Sequence, residues 1–599
     1  MFNMMKKIIL SVCFFTVTLN TNYAQTIEMI KAGGIREADM EVGGKALFTM
    51  AHEDEFSFQR LWITDGTVDG TEALSDVVVI NGTYYKFNGR IYFNGQSSTG
   101  DHSCELWATD GTTAGTVRVK EITSTPGWNQ WQITYMGVYN DRLYFRASDG
   151  VAGYELWVTD GTEDGTYLLK DLTPGSAGSD IAYHRNNIVF NNKFYFVANA
   201  NGLGAELWVT DGTAQGTTIV KDINPTGGIH DGTYSLPTSL DVNLHRLYEF
   251  NNRLFFLAND GTNGAELWIS DGTEAGTNML KNINSTGSAS PARITIFNNK
   301  LYFSANTVEE GRELWVTDGT ESGTILLRDI NVGDSGSSVN NLKSFNNYLY
   351  FTASRPVPGG LWRTDGTQEG TVLFEDSVRS FHIYNNELYM ARVTGFTSPN
   401  YHYAISKSNG SINSTTLIRA LDEGQSQSVP SLFLEAEGKL FFFREYDPFN
   451  EGVSFHAEIW YTDGTSSNTN ILRYDNGEIV CSRHFWNGDQ FVYNDNLYFE
   501  VEFAEPNPVT NGLYKVSGIP TSIAEKSRLK AVVYPNPAQS ILNIQTETSI
   551  VAVNIYNAMG AIVQTEKSNS FSINHLQTGL YLVSVNTQNG TSIHRVLKQ

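Results

Sequence analysis

Eight copies of one short stretch set an aspartate between a tryptophan and a glycine. They are RLWITDGT at 60–67, ELWATDGT at 105–112, ELWVTDGT at 155–162, 206–213 and 313–320, ELWISDGT at 266–273, GLWRTDGT at 360–367 and EIWYTDGT at 458–465. Repeated carboxylates such as Asp160, Asp211 and Asp318 suit two roles: turn-closing acceptors of backbone N–H groups, or a ring of cation sites. The dense D-x-D-x-D-G spacing of a calcium loop is missing, so the structural role is expected, with calcium binding as the alternative. No H-E-x-x-H, G-x-S-x-G or phosphate-binding loop occurs, and the eleven histidines do not cluster at ligand spacing. Cys13, Cys104 and Cys481 give no C-x-x-C pair, so no metal site is expected. The chain is therefore read as a non-enzyme. Plentiful Asp and Glu leave one catalytic alternative, carboxylates from different repeats meeting in space as in a glycosidase. Aromatics outside the repeat grid are the binding candidates: Trp128 and Trp131 in TPGWNQWQITY at 125–135, and Tyr401 and Tyr403 in SPNYHYAISK at 398–407. Such side chains offer a flat apolar face with a polar edge to a sugar ring or a protein. His402 reads as a surface histidine.

The elements that would hold these residues follow from the repeat. Its tryptophans are Trp62, Trp107, Trp157, Trp208, Trp268, Trp315, Trp362 and Trp460, spaced 45 to 60 residues apart except for a final gap of 98. A worn copy, AISKSNGS at 404–411 with Ser406 in place of Trp, fills that gap, and GLYKVSG at 512–518 ends the series. Each of the ten units has the same grammar, as in YEF, RLFFLA, ELWIS and NMLKNI between 248 and 283. Asn-Asn or a similar pair joins the first two apolar runs, and Asn tolerates the left-handed backbone of a tight hairpin. DGTxxGT joins the last two, and both its glycines are expected at positive φ. Four short antiparallel strands per repeat of this length predict an all-β chain built as a β-propeller. One ring of about ten blades is expected, with two smaller propellers as the alternative. Leu-Trp-Val is apolar on both strand faces, as a blade between two neighbours requires. A fully buried Trp removes ~150–250 Å² from water, at most roughly 4–6 kcal/mol.

These units resemble the ELWxxDGT-repeat family of secreted bacterial proteins over residues 27–519. The turn is also similar to the Asp-box hairpin of sialidase-type propellers, but the Ser-x-Asp-x-Gly-x-Thr-Trp order is not reproduced, so no catalytic residue carries over. TIEMIK at 26–31 reads like the strand after each DGTxxGT, such as TYLLKD at 166–171, and the tenth unit lacks that strand. An N-terminal strand completing the last blade is expected to close the ring. The propeller is assigned to 25–519.

The two ends speak of export. Lys6 and Lys7 precede the apolar run IILSVCFFTVTL at 8–19, and Asn-Tyr-Ala precedes Gln25, the pattern of a signal peptide over 1–24. No later stretch is long and apolar enough for a membrane span. The net charge is −23, and removing 1–24 with its two lysines takes it to −25, which repels nucleic acid. A linker at 520–533 leads to alternating runs LNIQ, VAVNIYN, AIVQT and GLYLVSV, expected to form a small Ig-like β-sandwich over 534–599. The order Tyr534, Pro535, Asn536, Pro537, then Gly560, then Gly579 and Tyr581, then Lys598 resembles the type A sorting domain of the type IX secretion system. That resemblance implies the secretion machinery as a partner, passage through the periplasm, and a product released or attached at the outer-membrane surface. The expected function is a secreted or cell-surface binding or adhesion propeller that recognises glycan or protein through loops on one face. The alternatives are an exported glycan hydrolase or lyase and a purely structural surface protein.

Overall fold

The computed structural model describes residues 26–32, 35–52, 55–97, 104–123, 133–181, 187–225, 246–397, 400–421, 428–446, 456–474, 479–483, 490–501, 512–517, 531–536, 538–546, 549–557, 562–587 and 590–599. Among them every regular element is a β-strand, and they divide into two compact units, Gln25–Gly518 and Ile519–Gln599. The signal segment 1–24 lies outside the described residues.

The first unit is a ten-bladed β-propeller. Blade 5 shows the pattern: Tyr248–Phe250, Arg253–Asn259, Ala265–Ser270 and Asn278–Lys281 pair in sequence order as strands a to d. The a–b hairpins turn on residue pairs held at positive φ, such as Asn251 and Asn252, which satisfies the left-handed demand read from the Asn-Asn pairs. The a strands of neighbouring blades approach one another, as Ala292–Phe297 does Asn340–Phe345, so strand a lines the axis. Blades 1 and 2 share one continuous strand, Glu72–Phe87, which is strand d of the first and strand a of the second. In blade 9, strand c (His456–Thr462) pairs with both Asn470–Ile471 and Cys481–Arg483.

One ring closes, not two. Apolar clusters join nine consecutive pairs of blades, including blade 5 to blade 6 through Phe255 and Trp315, and blade 10 to blade 1 through Tyr498 and Phe48. At the tenth junction the Glu437 N–H of blade 9 donates to the Asp495 carbonyl of blade 10 at 2.8 Å. The N-terminal strand Thr26–Ala32 pairs antiparallel with Gly512–Ser517, Thr26 opposite Ser517, and supplies strand d of blade 10.

The second unit contains a three-stranded sheet (Ala531–Tyr534, Ile541–Thr546, Ser570–Ser572) and a four-stranded one (Ile562–Glu566, Ile550–Tyr556, Gly579–Thr587, Gly590–Lys598). Their inner faces share a core that includes Leu542, Ile544, Val553, Ile555, Val583 and Val585.

Candidate functional site

The repeated motif is built as a joint between blades. Each of the eight tryptophans packs against the preceding blade: Trp208 against Tyr144 and Leu156, Trp268 against Tyr195 and Leu207. Trp157, Trp208, Trp268, Trp315 and Trp460 are buried, and Trp62, Trp107 and Trp362 are half-buried. The turn aspartates are mostly exposed and spend one oxygen on the turn itself. Asp160 Oδ1 accepts from Thr162 N at 2.9 Å and Thr162 Oγ1 at 2.7 Å, and Asp211 and Asp318 repeat the arrangement. The Thr162 hydroxyl bond, seconded by the backbone N–H, holds the Asp160 carboxyl below its ordinary value.

The two glycines of DGTxxGT serve different ends, a correction to the sequence reading. Only the first takes positive φ, 92° at Gly272, and a methyl group there would lie 2.2 Å from the Tyr195 hydroxyl of the preceding blade. The second, Gly276, has ordinary backbone but sits where a methyl group would meet Asp271 Oδ1 at 2.0 Å. The lysine or arginine that ends strand d completes the joint. Lys221 Nζ donates to Thr277 O at 2.7 Å, Lys281 Nζ to Thr324 O at 2.7 Å and Arg328 to Thr371 O at 2.6 Å, each in the next blade.

Sequence reasoning missed the glutamate of Glu-Leu-Trp. Glu155, Glu206, Glu266 and Glu313 are fully buried at the start of strand c. Glu266 accepts from Ile283 N and Asn284 N at 3.0 Å and Ala289 N at 3.3 Å, and Glu206 from Ile223 N and Asn224 N. These donors belong to the crossing toward the next blade, so each glutamate pins a crossing loop. Burial pushes Glu155, Glu206 and Glu266 up to about 7, against the pull of the N–H donors. The only sequence signal was recurrence of Glu at an apolar strand start.

Of the aromatic binding candidates, Trp128 and Trp131 lie outside the described residues. Tyr401 stands on strand Asn400–Ser408, and its side chain also lies outside them. Tyr403 is 5% exposed and packed with Tyr389, Ile405 and Leu440 between blades 8 and 9, which removes it from the binding candidates.

One cluster of polar and aromatic side chains from neighbouring blades stands on the axis-lining strands of blades 7 to 9. Lys343 Nζ of blade 7 lies 5.7 Å over the Phe381 ring of blade 8. His382, next along that strand, stacks on Phe433 of blade 9 at 5.4 Å and donates from Nε2 to Glu435 Oε1 at 3.2 Å. Asn341 Nδ2 reaches Phe381 O at 3.4 Å. Burial draws the Lys343 ammonium below its ordinary value. Burial does the same for the His382 imidazole, with the Glu435 bond opposing it and the nearby Lys343 charge adding to it. Phe381 itself is buried in the core between blades 7 and 8, so the accessible groups here are Lys343, His382, Phe433 and Glu435, on three adjacent blades. Among the described residues no three His, Cys, Asp or Glu side chains converge to hold a metal ion.

In the second unit Asn536 Oδ1 accepts from Leu597 N at 2.9 Å and its Nδ2 donates to Arg595 O at 2.8 Å, tying the start of the domain to its last strand. Tyr581 Oη donates to Gln577 O, Gly579 pairs with Lys598, and the Lys598 side chain is nearly buried. Tyr534 and Pro535 are exposed, and Pro537 and Gly560 lie outside the described residues.

No curated protein matches the chain. Among solved structures, a puromycin hydrolase is 11% identical, with 70% of this chain and 61% of that chain covered and a TM-score of 0.29. Prolyl oligopeptidase B from Galerina marginata is 11% identical, with 62% and 53% covered and a TM-score of 0.29. An uncharacterised protein from Listeria monocytogenes is 10% identical, with 57% and 97% covered and a TM-score of 0.26. The chain thus spans less than two thirds of the length of the first two. Residues 532–599 match the family described as the secretion system C-terminal sorting domain, so this end of the chain is a type IX sorting domain and the protein is secreted or displayed at the cell surface.

Proposed function

We propose that the propeller is an extracellular glycan-binding module whose site is the channel wall of blades 7 to 9. The observation that carries this reading is the run of Lys343, His382, Phe433 and Glu435 along adjacent axis-lining strands. An aromatic ring, Phe433, beside donors and acceptors matches the apolar and hydroxylated faces of a sugar. The repeats themselves fit the ELWxxDGT family of secreted proteins, and passage through the periplasm fits the N-terminal lysine and apolar run. A glycan-panel screen of the full chain, run with calcium and with chelator and read for binding and for product release, tests the proposal. Binding that is lost in Phe433→Ala and His382→Ala, without product release, supports it. Binding that survives both changes moves attention to Trp128 and Trp131 in the stretch 125–135. Product release replaces the binder with an enzyme that uses channel carboxylates.

A further inference from the structure

The axis-lining strands of blades 6 to 9 each break register with strand b, as do those of blades 1 and 3. In blades 6, 7, 8 and 9 the pairing with strand b shifts between Ala292 and Thr295, Asn340 and Lys343, Val378 and Ser380, and Ser431 and Leu434, each time by one extra residue on strand a. Three residues inside these bulges hold left-handed backbone: Arg293 at φ 60°, Asn341 at 55° and Leu432 at 44°. For arginine and leucine that conformation costs about 1–2 kcal/mol each. Bulges re-aim side chains.

The charged side chains on these four strands are mostly cationic. Arg293, Lys343 and Arg379 stand there beside His382, with Glu435 as the one acid, in a chain of net charge −23. Arg379 is itself the extra residue of the blade 8 bulge. Some arginines on the blades meet acids, as Arg118 does Glu105 and Glu121, Arg146 does Asp180, and Arg392 does Glu375 and Asp376, and others donate to carbonyls, as Arg328 does to Thr371 and Arg363 to Gly410. Among the described residues neither Lys343 nor Arg379 has a carboxylate partner. Lys343 is half-buried against Phe381, so its charge is partly removed from water. A positive wall inside a negative molecule concentrates an anion at one place. Glu435 and the exposed Ser344 supply acceptors for hydroxyl groups, which a sugar presents and a plain polyanion does not.

We propose that the channel wall of blades 7 and 8 binds the carboxylate of a uronic-acid unit in an acidic polysaccharide, with Lys343 and Arg379 as the carboxylate partners and His382 with Glu435 as partners of the sugar hydroxyls. This rests on the glycan-binding reading and gives it a charge class. The test is calorimetric titration of the full chain with tetragalacturonate, with its methyl ester, and with polyglutamate, for the natural sequence, Lys343→Met and Arg379→Gln. Methionine keeps the stem that packs on Phe381 and removes only the charge. The expected result is binding of the acid, weakened at least about tenfold by esterification and by either substitution, and weakened further by salt, with unchanged melting curves. Equal binding of acid and ester, or wild-type affinity in both variants, overturns the carboxylate site while leaving glycan binding in place. Polyglutamate bound as tightly, with the same dependence on Lys343, overturns the sugar assignment. If no uronate or neutral glycan binds at all, the glycan reading falls together with it.

Discussion

Gly272 carries two constraints at one atom. Its φ of 92° disfavours a side chain, and the Tyr195 hydroxyl of the preceding blade fills the space a methyl group would need. Gly272→Ala is therefore expected to cost more than the ~1 kcal/mol of an ordinary turn glycine, read by urea unfolding. Trp208→Ala removes a buried ring from the joint between blades 3 and 4 and is expected to cost about 3–5 kcal/mol, as large core truncations do. The tryptophan and aspartate roles were legible because each is local: an apolar ring in an apolar run, a carboxylate two residues before its donor. Glu266 was not, since its donors Ile283 and Asn284 lie 17 and 18 residues on and meet it only after the crossing folds. Gly276 was read for φ when its reason is the nearby Asp271 carboxylate, a contact no local pattern shows.

Strands a to d were legible from alternating apolar runs and their turn residues, and so was the displaced strand Thr26–Ala32, because TIEMIK repeats the strand d pattern. The bulges in blades 6 to 9 were not: one extra residue in a six-residue strand leaves no clear period. The channel cluster was invisible for the same reason that strands hide any site, since Lys343, His382 and Glu435 are about forty to fifty residues apart in sequence and adjacent only across blades. At this scale strand exchange is testable. A chain lacking Thr26–Ala32 leaves the edge of Gly512–Ser517 unpaired and is expected to melt lower. Added TIEMIKA peptide should raise the melting temperature again in a concentration-dependent way.

For the whole molecule, the pH profile follows from two sets of carboxyls. Glu155, Glu206 and Glu266 have folded values raised from 4.5 to about 7. Their contribution is fully present below the unfolded value and is lost as pH rises through the folded one. The turn aspartates, such as Asp160 and Asp211, are lowered from 3.8, so their contribution is present above that value and is lost as pH falls through the folded one. Thermal stability is expected to peak near pH 4–5 and to decline toward pH 8. A series in which Glu155, Glu206 and Glu266 are each changed to Gln should flatten the decline between pH 5 and 8. A melting temperature rising steadily from pH 5 to 8 would refute the assignment.

The pairing of Thr26 with Ser517 also sets a timetable. Strand Thr26–Ala32 must wait for Gly512–Ser517, nearly five hundred residues further along the chain, so this pairing is the contact of longest sequence separation in the ring. Until then both edges of the nascent array offer unpaired backbone to other chains. A product cut short at any blade lacks the partner for its own beginning and stays open. Closure therefore works as a completeness check: only a chain that extends through residue 517 can pair strand Thr26–Ala32.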